Sequence, residues 1–313
     1  LALTGYKPTI FEKNAEPGGM LRYGIPSYKL EKDLLAAEID VIRQLGVEIR
    51  CGVEVGKDVT IQQLREQGYK AFYVAIGAQG GRKTGVPGED AEGVVTGVEF
   101  LRKANISEDA HELSGETVVI GGGNVAIDVS RMALRSGSTK VSQYCLESRD
   151  IMPAAADEVE EAEEEGITIG CGWGPKEILT ENGKVKAVVF KKCLSVFDEE
   201  HRFNPQYDEN DTITVECENV ILSIGQSIEW GGLLEGSKVE LNRNNTAVAD
   251  AVTLQTGEED IFVGGDVYTG PRFAIDAIAA GKEASVSMHR FVHKGHSLTL
   301  SRDRRQFLSL IHI

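Results

Sequence analysis

The chain alternates short apolar runs with amphipathic segments. Residues 6–11 (YKPTIF) read as a strand ending at the acid Glu12, and residues 17–26, rich in Gly and Pro, as a loop. Residues 30–45 carry apolar positions at helical spacing and stop at Gly46, a residue suited to ending a helix. Residues 47–51 then read as a strand, 61–67 as a helix and 71–76 (AFYVAI) as a buried strand entering Gly77. The pattern restarts with a strand at 117–120 (TVVI), a glycine-rich turn, a helix over 125–136 and a strand over 140–146. After an acidic helix the chain turns β-rich, and 181–184 (ENGK) predicts a hairpin turn joining 176–179 to 185–191. Residues 220–224 (VILSI) and 260–263 (DIFV) are further buried strands; the second enters Gly264-Gly265-Asp266 and a helix over 274–293.

Strands alternating with helices predict α/β layering, with each β-α-β unit seeding a Rossmann-like three-layer domain. The last strand and its glycines match the first segment better than the middle one. The simplest layout is an outer domain, 1–88 plus 246–293, with a second domain inserted over 89–245 and a tail over 294–313.

Composition changes this picture in several ways. The 313 residues suffice for two ordinary domains, and many of the 35 glycines are clustered, where backbone must approach something closely. The net charge of -16 argues against nucleic acid or an anionic membrane as a partner. No apolar run approaches the roughly 18 residues of a membrane span, and no signal peptide is evident. The acid run 157–165 reads as a solvated helix face. The basic stretch from Lys282 to Arg305 reads as solvated surface, with a docking patch for an acidic electron-transfer partner as the sharper alternative. Cys51, Cys145, Cys171, Cys193 and Cys217 form neither a Cys-x-x-Cys motif nor a disulfide framework. Scattered cysteines fit a reducing cytosol, so a cytoplasmic protein is expected.

Gly121-x-Gly123-x-x-Ala126 directly follows a strand and opens a helix. The first glycine makes the tight turn, the second lets backbone N–H groups reach a pyrophosphate, and Ala126 permits close helix–strand contact. The helix N-terminus adds partial positive charge. The adenosine ribose is read at the end of the next strand, near Leu146-Glu147. An acid there accepts hydrogen bonds from both ribose hydroxyls, whereas arginine suits a 2′-phosphate, so Glu147 favours NADH, with nearby Arg149 pulling the other way.

Glu12 repeats the ribose-acid logic in the first segment. Asp266, after an apolar strand, is suited to a ribityl hydroxyl, and the helix opening near 272–275 would aim its positive end at a flavin's pyrimidine edge.

Taken together, FEKNAEPGGMLRYGIPSYKL (11–30), VAIGA (74–78), VVIGGGNVAIDVSR (118–131), MPAAADEVEEAEEEG (152–166), VILSIGQ (220–226) and IFVGGDVYTGP with AIDAIAAGKEAS (261–285) resemble the glutamate synthase small (beta) subunit group. That group includes the large subunit of NADH-dependent ferredoxin:NADP oxidoreductase and the flavin region of dihydropyrimidine dehydrogenase. The resemblance covers about residues 1–293. It implies an FAD domain with an inserted NAD(P) domain. It implies FAD held by Glu12, Gly19, Leu21, Tyr23, Val55, Ala75, Ile76, Gly77, Gly265, Asp266 and Ile275. It implies NAD(P)H held by Gly121, Gly123, Asn124, Val125 and Glu147. The implied activity is hydride transfer from NAD(P)H to FAD, with electrons passing on to an iron–sulfur protein or domain, such as a ferredoxin or a glutamate synthase large subunit. No catalytic acid or base and no metal ligand is implied, since the chemistry belongs to the cofactors.

Three departures stand out. The chain begins at Leu1 in what reads as a helix tail, so the family's N-terminal iron–sulfur region and first FAD strand with its glycine loop are expected to be missing. Leu146-Glu147 stands where NADPH-using members carry an arginine pair. The end SLIHI (309–313) does not continue RDRRQFL in a family-like way and reads as an unrelated end or artefact. A disulfide reductase of the same superfamily would need a redox cysteine pair beside the flavin, and the sequence offers none. The competing class is a non-catalytic NAD(H)-binding or scaffold module of an electron-transfer complex.

Overall fold

The computed structural model describes residues 1–106 and 113–302. The terminal SLIHI, with Arg304 and Arg305 of the basic stretch, lies outside the described residues. The chain divides into two compact units. Of the described residues, one gathers Leu1–Pro17, Glu38–Ala78 and 228–302; the other gathers Gly18–Ala37, 79–106 and 113–227.

The second unit is built on a five-stranded parallel sheet. Its strands lie in the order Val94–Thr96, Asn219–Leu222, Glu116–Ile120, Lys140–Cys145 and Thr168–Cys171. Glu116–Ile120 is a near-continuous buried run, as a strand covered on both faces requires. On one face Val119 packs with Phe100, Leu101, Ile127, Val129 and Val159 from the helices Gly97–Ile106, Asn124–Arg135 and Ala156–Glu164. On the other, Val118, Ile120, Val220 and Leu222 meet Ile178, Val188 and Phe190. Those residues come from an antiparallel meander of Trp173–Glu181, Lys184–Phe197 and Phe203–Glu216. The result is three layers: helices, parallel sheet, meander. The meander's first turn is Asn182-Gly183, both with positive φ, which is what a two-residue hairpin demands.

The first unit carries two parallel strand pairs: Thr9–Glu12 with Glu48–Cys51, and Phe72–Val74 with Ile261–Val263. Ile61, Val74, Ala78, Ile261, Val263 and Val267 form its core. Helix Ile61–Glu66 starts at a capping box between Thr60 and Gln63. Its Arg65 binds Asp260 at 2.7 Å and Glu258 at 2.9 Å, fixing the entrance to the last strand.

Several expectations need correction. Residues 17–26 are not all loop, since Gly19–Tyr23 forms a short helix. The acid run 157–165 is not merely solvated: Glu158 pairs with Lys29, Glu161 with Arg131, Glu163 with Arg149 and Glu165 with Arg135. In the basic stretch, Arg302 is turned inward onto Glu283, its side chain 7% exposed, and Arg290 donates to the carbonyls of Ser297, Leu298 and Leu300. Neither is a free docking charge. Among the described residues no helix is long and apolar enough to cross a membrane.

Candidate dinucleotide and flavin sites

The glycine-rich corner of the second unit places each of its residues for a distinct reason. Gly121 has φ +149°, and a Cβ on it would lie 2.1 Å from the Ser223 carbonyl oxygen. Only glycine fits there. Its N–H donates to the Tyr144 carbonyl at 2.8 Å, pinning the turn to the neighbouring strand. At Gly122 a Cβ would meet Glu147 Oε2 at 2.8 Å and Cys145 Cβ at 2.9 Å. Gly123 is different: its φ of -93° suits any residue, and nothing lies within 4 Å of its Cβ position. The space in front of Gly123 is open.

Helix Asn124–Arg135 begins at Gly123 with no side-chain cap. The first N–H groups of a helix have no intrahelical acceptor, so Asn124 and Val125 present theirs at this opening. Ala126 is fully buried, 3.3 Å from where a Gly121 Cβ would sit. The Asn124 side chain accepts from Ala155 N–H at 2.7 Å, so this side chain braces the loop ahead of the acidic helix. The fully buried Gln143 donates to the Gly121 carbonyl at 3.0 Å and accepts from Ser130 at 2.8 Å. Sequence reading passed over Gln143; a polar residue inside a strand with buried neighbours on both sides was the available signal.

Glu147 follows strand Lys140–Cys145 and is half-buried, its carboxylate making no hydrogen bond or ion pair among the described residues. Arg149 is engaged elsewhere, donating twice to Glu163 at 2.9 and 2.7 Å. The corner therefore offers a carboxylate acceptor without a committed cation beside it.

In the first unit, strands Phe72–Val74 and Ile261–Val263 run in register and deliver Ala75, Ile76 and Gly77 beside Gly265 and Asp266. Gly77 (φ +70°) has open space around its Cβ position. A Cβ on Gly264 would strike the Tyr73 hydroxyl at 2.2 Å, and burial pushes that phenol up to about 12. Asp266 accepts from Arg272 N–H at 3.2 Å, and burial raises its carboxyl above the usual range. Ile275 opens helix Ala274–Phe291 and is 68% exposed. Glu12 ends its strand and holds Asn14 through N–H and side-chain bonds of 2.8 and 2.7 Å. Val55 lies half-buried, bridged to Val59. Gly19, Leu21 and Tyr23 belong to the second unit. There Gly19 (φ +51°) is open, the Leu21 carbonyl accepts from Lys32, and Tyr23 is buried with Arg102 4.5 Å over its ring.

A family model described as pyridine nucleotide-disulphide oxidoreductase matches residues 4–281. The chain belongs to this family. Relatives include the NADP(+)-dependent formate dehydrogenase subunit beta of Moorella thermoacetica, 39% identical over 94% of this chain and 42% of its own length. The glutamate synthase [NADPH] small chain of Halomonas elongata is 32% identical over 91% of this chain and 62% of its own. The NAD-dependent dihydropyrimidine dehydrogenase subunit PreT of Escherichia coli O157:H7 is 32% identical over 92% and 63%. The resemblance to the glutamate synthase small subunit group is thus borne out, although the chain spans about half the length of the relatives it matches. Among solved structures, Mycobacterium tuberculosis FprA in complex with NADPH superimposes with a TM-score of 0.77 at 18% identity, covering 91% of this chain and 78% of that one. This bears out the expected α/β, Rossmann-like fold.

Proposed function

We propose that this chain is a flavoprotein oxidoreductase module that passes hydride from NAD(P)H, with NADH favoured, to FAD. Electrons would then go to an iron–sulfur protein or domain, as in the glutamate synthase small subunit. Family membership supports the oxidoreductase class, and relatives named as subunits support a partner. We also retain the organisation of a dinucleotide domain inserted into an FAD domain.

The observation that carries the reading is the corner at 121–147: open space at Gly123 before an uncapped helix N-terminus, with the uncommitted Glu147 carboxylate beside Gly122. The amides of Asn124 and Val125 would hold the pyrophosphate, with Gly121 and Ala126 shaping the turn. Glu147 would accept hydrogen bonds from the adenosine ribose. Within the first unit, Glu12, Val55, Ala75, Ile76, Gly77, Gly265, Asp266 and Ile275 would hold FAD. Bound together, the two cofactors supply hydride transfer and one-electron delivery. The protein's part is to orient them, to exclude a 2′-phosphate at Glu147, and to offer donors at the ends of the strands.

Two of the named relatives carry NADP in their names and one NAD, so the preference rests on Glu147. The test is to compare dissociation constants for NADH and NADPH in the wild-type chain and in Glu147→Arg. The wild type should favour NADH and the variant should reverse the order. Equal affinities in the wild type would remove the assignment.

A further inference from the structure

The five cysteines are scattered in sequence, but folding brings two together. Strands Lys140–Cys145 and Thr168–Cys171 run parallel in register, and their last residues, Cys145 and Cys171, are direct partners. Their Sγ atoms lie 3.9 Å apart, and both thiols are free. Cys145 is 2% exposed, while Cys171 is half-buried and gives the pair its opening to solvent.

The surroundings tie this pair to the glycine loop. The Cβ position of Gly122 is 2.9 Å from Cys145 Cβ and 3.5 Å from its Sγ. Cys145 Sγ also rests 3.6 Å from the Glu147 carbonyl oxygen, which accepts from Gly172 N–H at 2.9 Å. The thiols therefore sit directly behind the residues that form the turn and carry the ribose-side carboxylate.

We propose that Cys145 and Cys171 form a reversible thiol–disulfide site, oxidised by hydroperoxides, that acts on the loop at Gly122 and Glu147. The half-buried Cys171 sulfur attacks the peroxide O–O bond and takes one oxygen as S–OH, and hydroxide leaves and is protonated to water. The Cys145 sulfur then attacks that sulfur, the S–S bond forms, the S–O bond breaks, and a second water leaves with the Cys145 proton. Two thiols lose two protons and two electrons, and one hydrogen peroxide takes them up to become two waters. Burial, reinforced by Cys171 and Glu147, keeps the Cys145 thiol protonated, which fits it for the second step rather than the first. A dithiol reductant reverses the bond. Forming it brings the sulfurs from 3.9 Å to about 2.0 Å and draws Cys145 off the turn. On the reading of this corner as the dinucleotide site, oxidation weakens NADH binding.

The test treats the purified chain with hydrogen peroxide, blocks remaining thiols, and maps peptides by mass without reduction. A Cys145–Cys171 cross-linked peptide is expected, lighter by two hydrogens, lost with dithiothreitol and absent in Cys171→Ser. NADH affinity should fall several-fold on oxidation of the wild type and stay constant in Cys171→Ser. No cross-link, or an equal one in Cys171→Ser through another cysteine, would overturn the site. A cross-link with unchanged NADH affinity would overturn its action on the loop. If the reduced chain binds no NADH yet forms the cross-link, the thiol site stands and the dinucleotide reading fails.

Discussion

The fully buried Gln143 amide donates to the carbonyl of Gly121 at 3.0 Å, so the first glycine of the turn is held from beneath by a side chain. Replacing Gln143 by Leu leaves that carbonyl and the Ser130 hydroxyl unsatisfied. An unmet buried partner costs roughly 1–3 kcal/mol. Gln143→Leu should therefore lower the thermal midpoint measurably and weaken NADH binding as the turn relaxes. An unchanged midpoint would show that the network contributes nothing.

Two glycines two residues apart should respond oppositely to alanine. Gly121→Ala sets a Cβ 2.1 Å from the Ser223 carbonyl oxygen at a positive φ, and should cost on the order of 3 kcal/mol in thermal or urea unfolding. Gly123→Ala meets nothing within 4 Å and has an ordinary φ. Its stability should match the wild type, while its NADH affinity falls about tenfold or more as the methyl takes space the pyrophosphate would use, roughly 1.4 kcal/mol. Destabilisation by Gly123→Ala without loss of affinity would refute this division.

Glu165 gives a pH signature. Arg135, helped by Arg131 and opposed by burial, holds its carboxyl at about 2. The folded value lies below the unfolded one, so its stabilising effect is present above the usual carboxylate range. It is lost as pH falls from about 4.5 toward 2. Glu165→Gln should be less stable than the wild type at neutral pH, with the gap closing on acidification. Midpoints measured between neutral pH and pH 3 check this, and a constant gap would rule the pairing out as its source.

Phe190 tests the packing between sheet and meander. It is fully buried and stacks on Tyr144 with ring centroids 4.4 Å apart. Phe190→Ala should cost about 3–5 kcal/mol in denaturant unfolding.

Much of this was legible in the sequence because burial leaves a period. The run TVVI with its glycines announces a covered strand entering a phosphate-binding turn, and the structure places it at Glu116–Ile120. What escaped has physical reasons. Phe203–Glu216 is a fourteen-residue strand with a largely exposed, polar face, so it carries no apolar signal. Gln143 acts through a contact with Gly121, 22 residues away, that the sequence does not display. Cys145 and Cys171 are 26 residues apart and meet only because their strands pair in register. The acidic run looked solvated because its partners Lys29, Arg131, Arg135 and Arg149 come from other segments.

The most direct test of the account is the visible spectrum of the purified chain after reconstitution with FAD, followed through an anaerobic titration with NADH. The account predicts a retained flavin band that bleaches with NADH, and more slowly with NADPH. A chain that retains no flavin, or whose flavin stays oxidised under excess NADH, would contradict it and leave a nucleotide-binding module without the proposed redox activity.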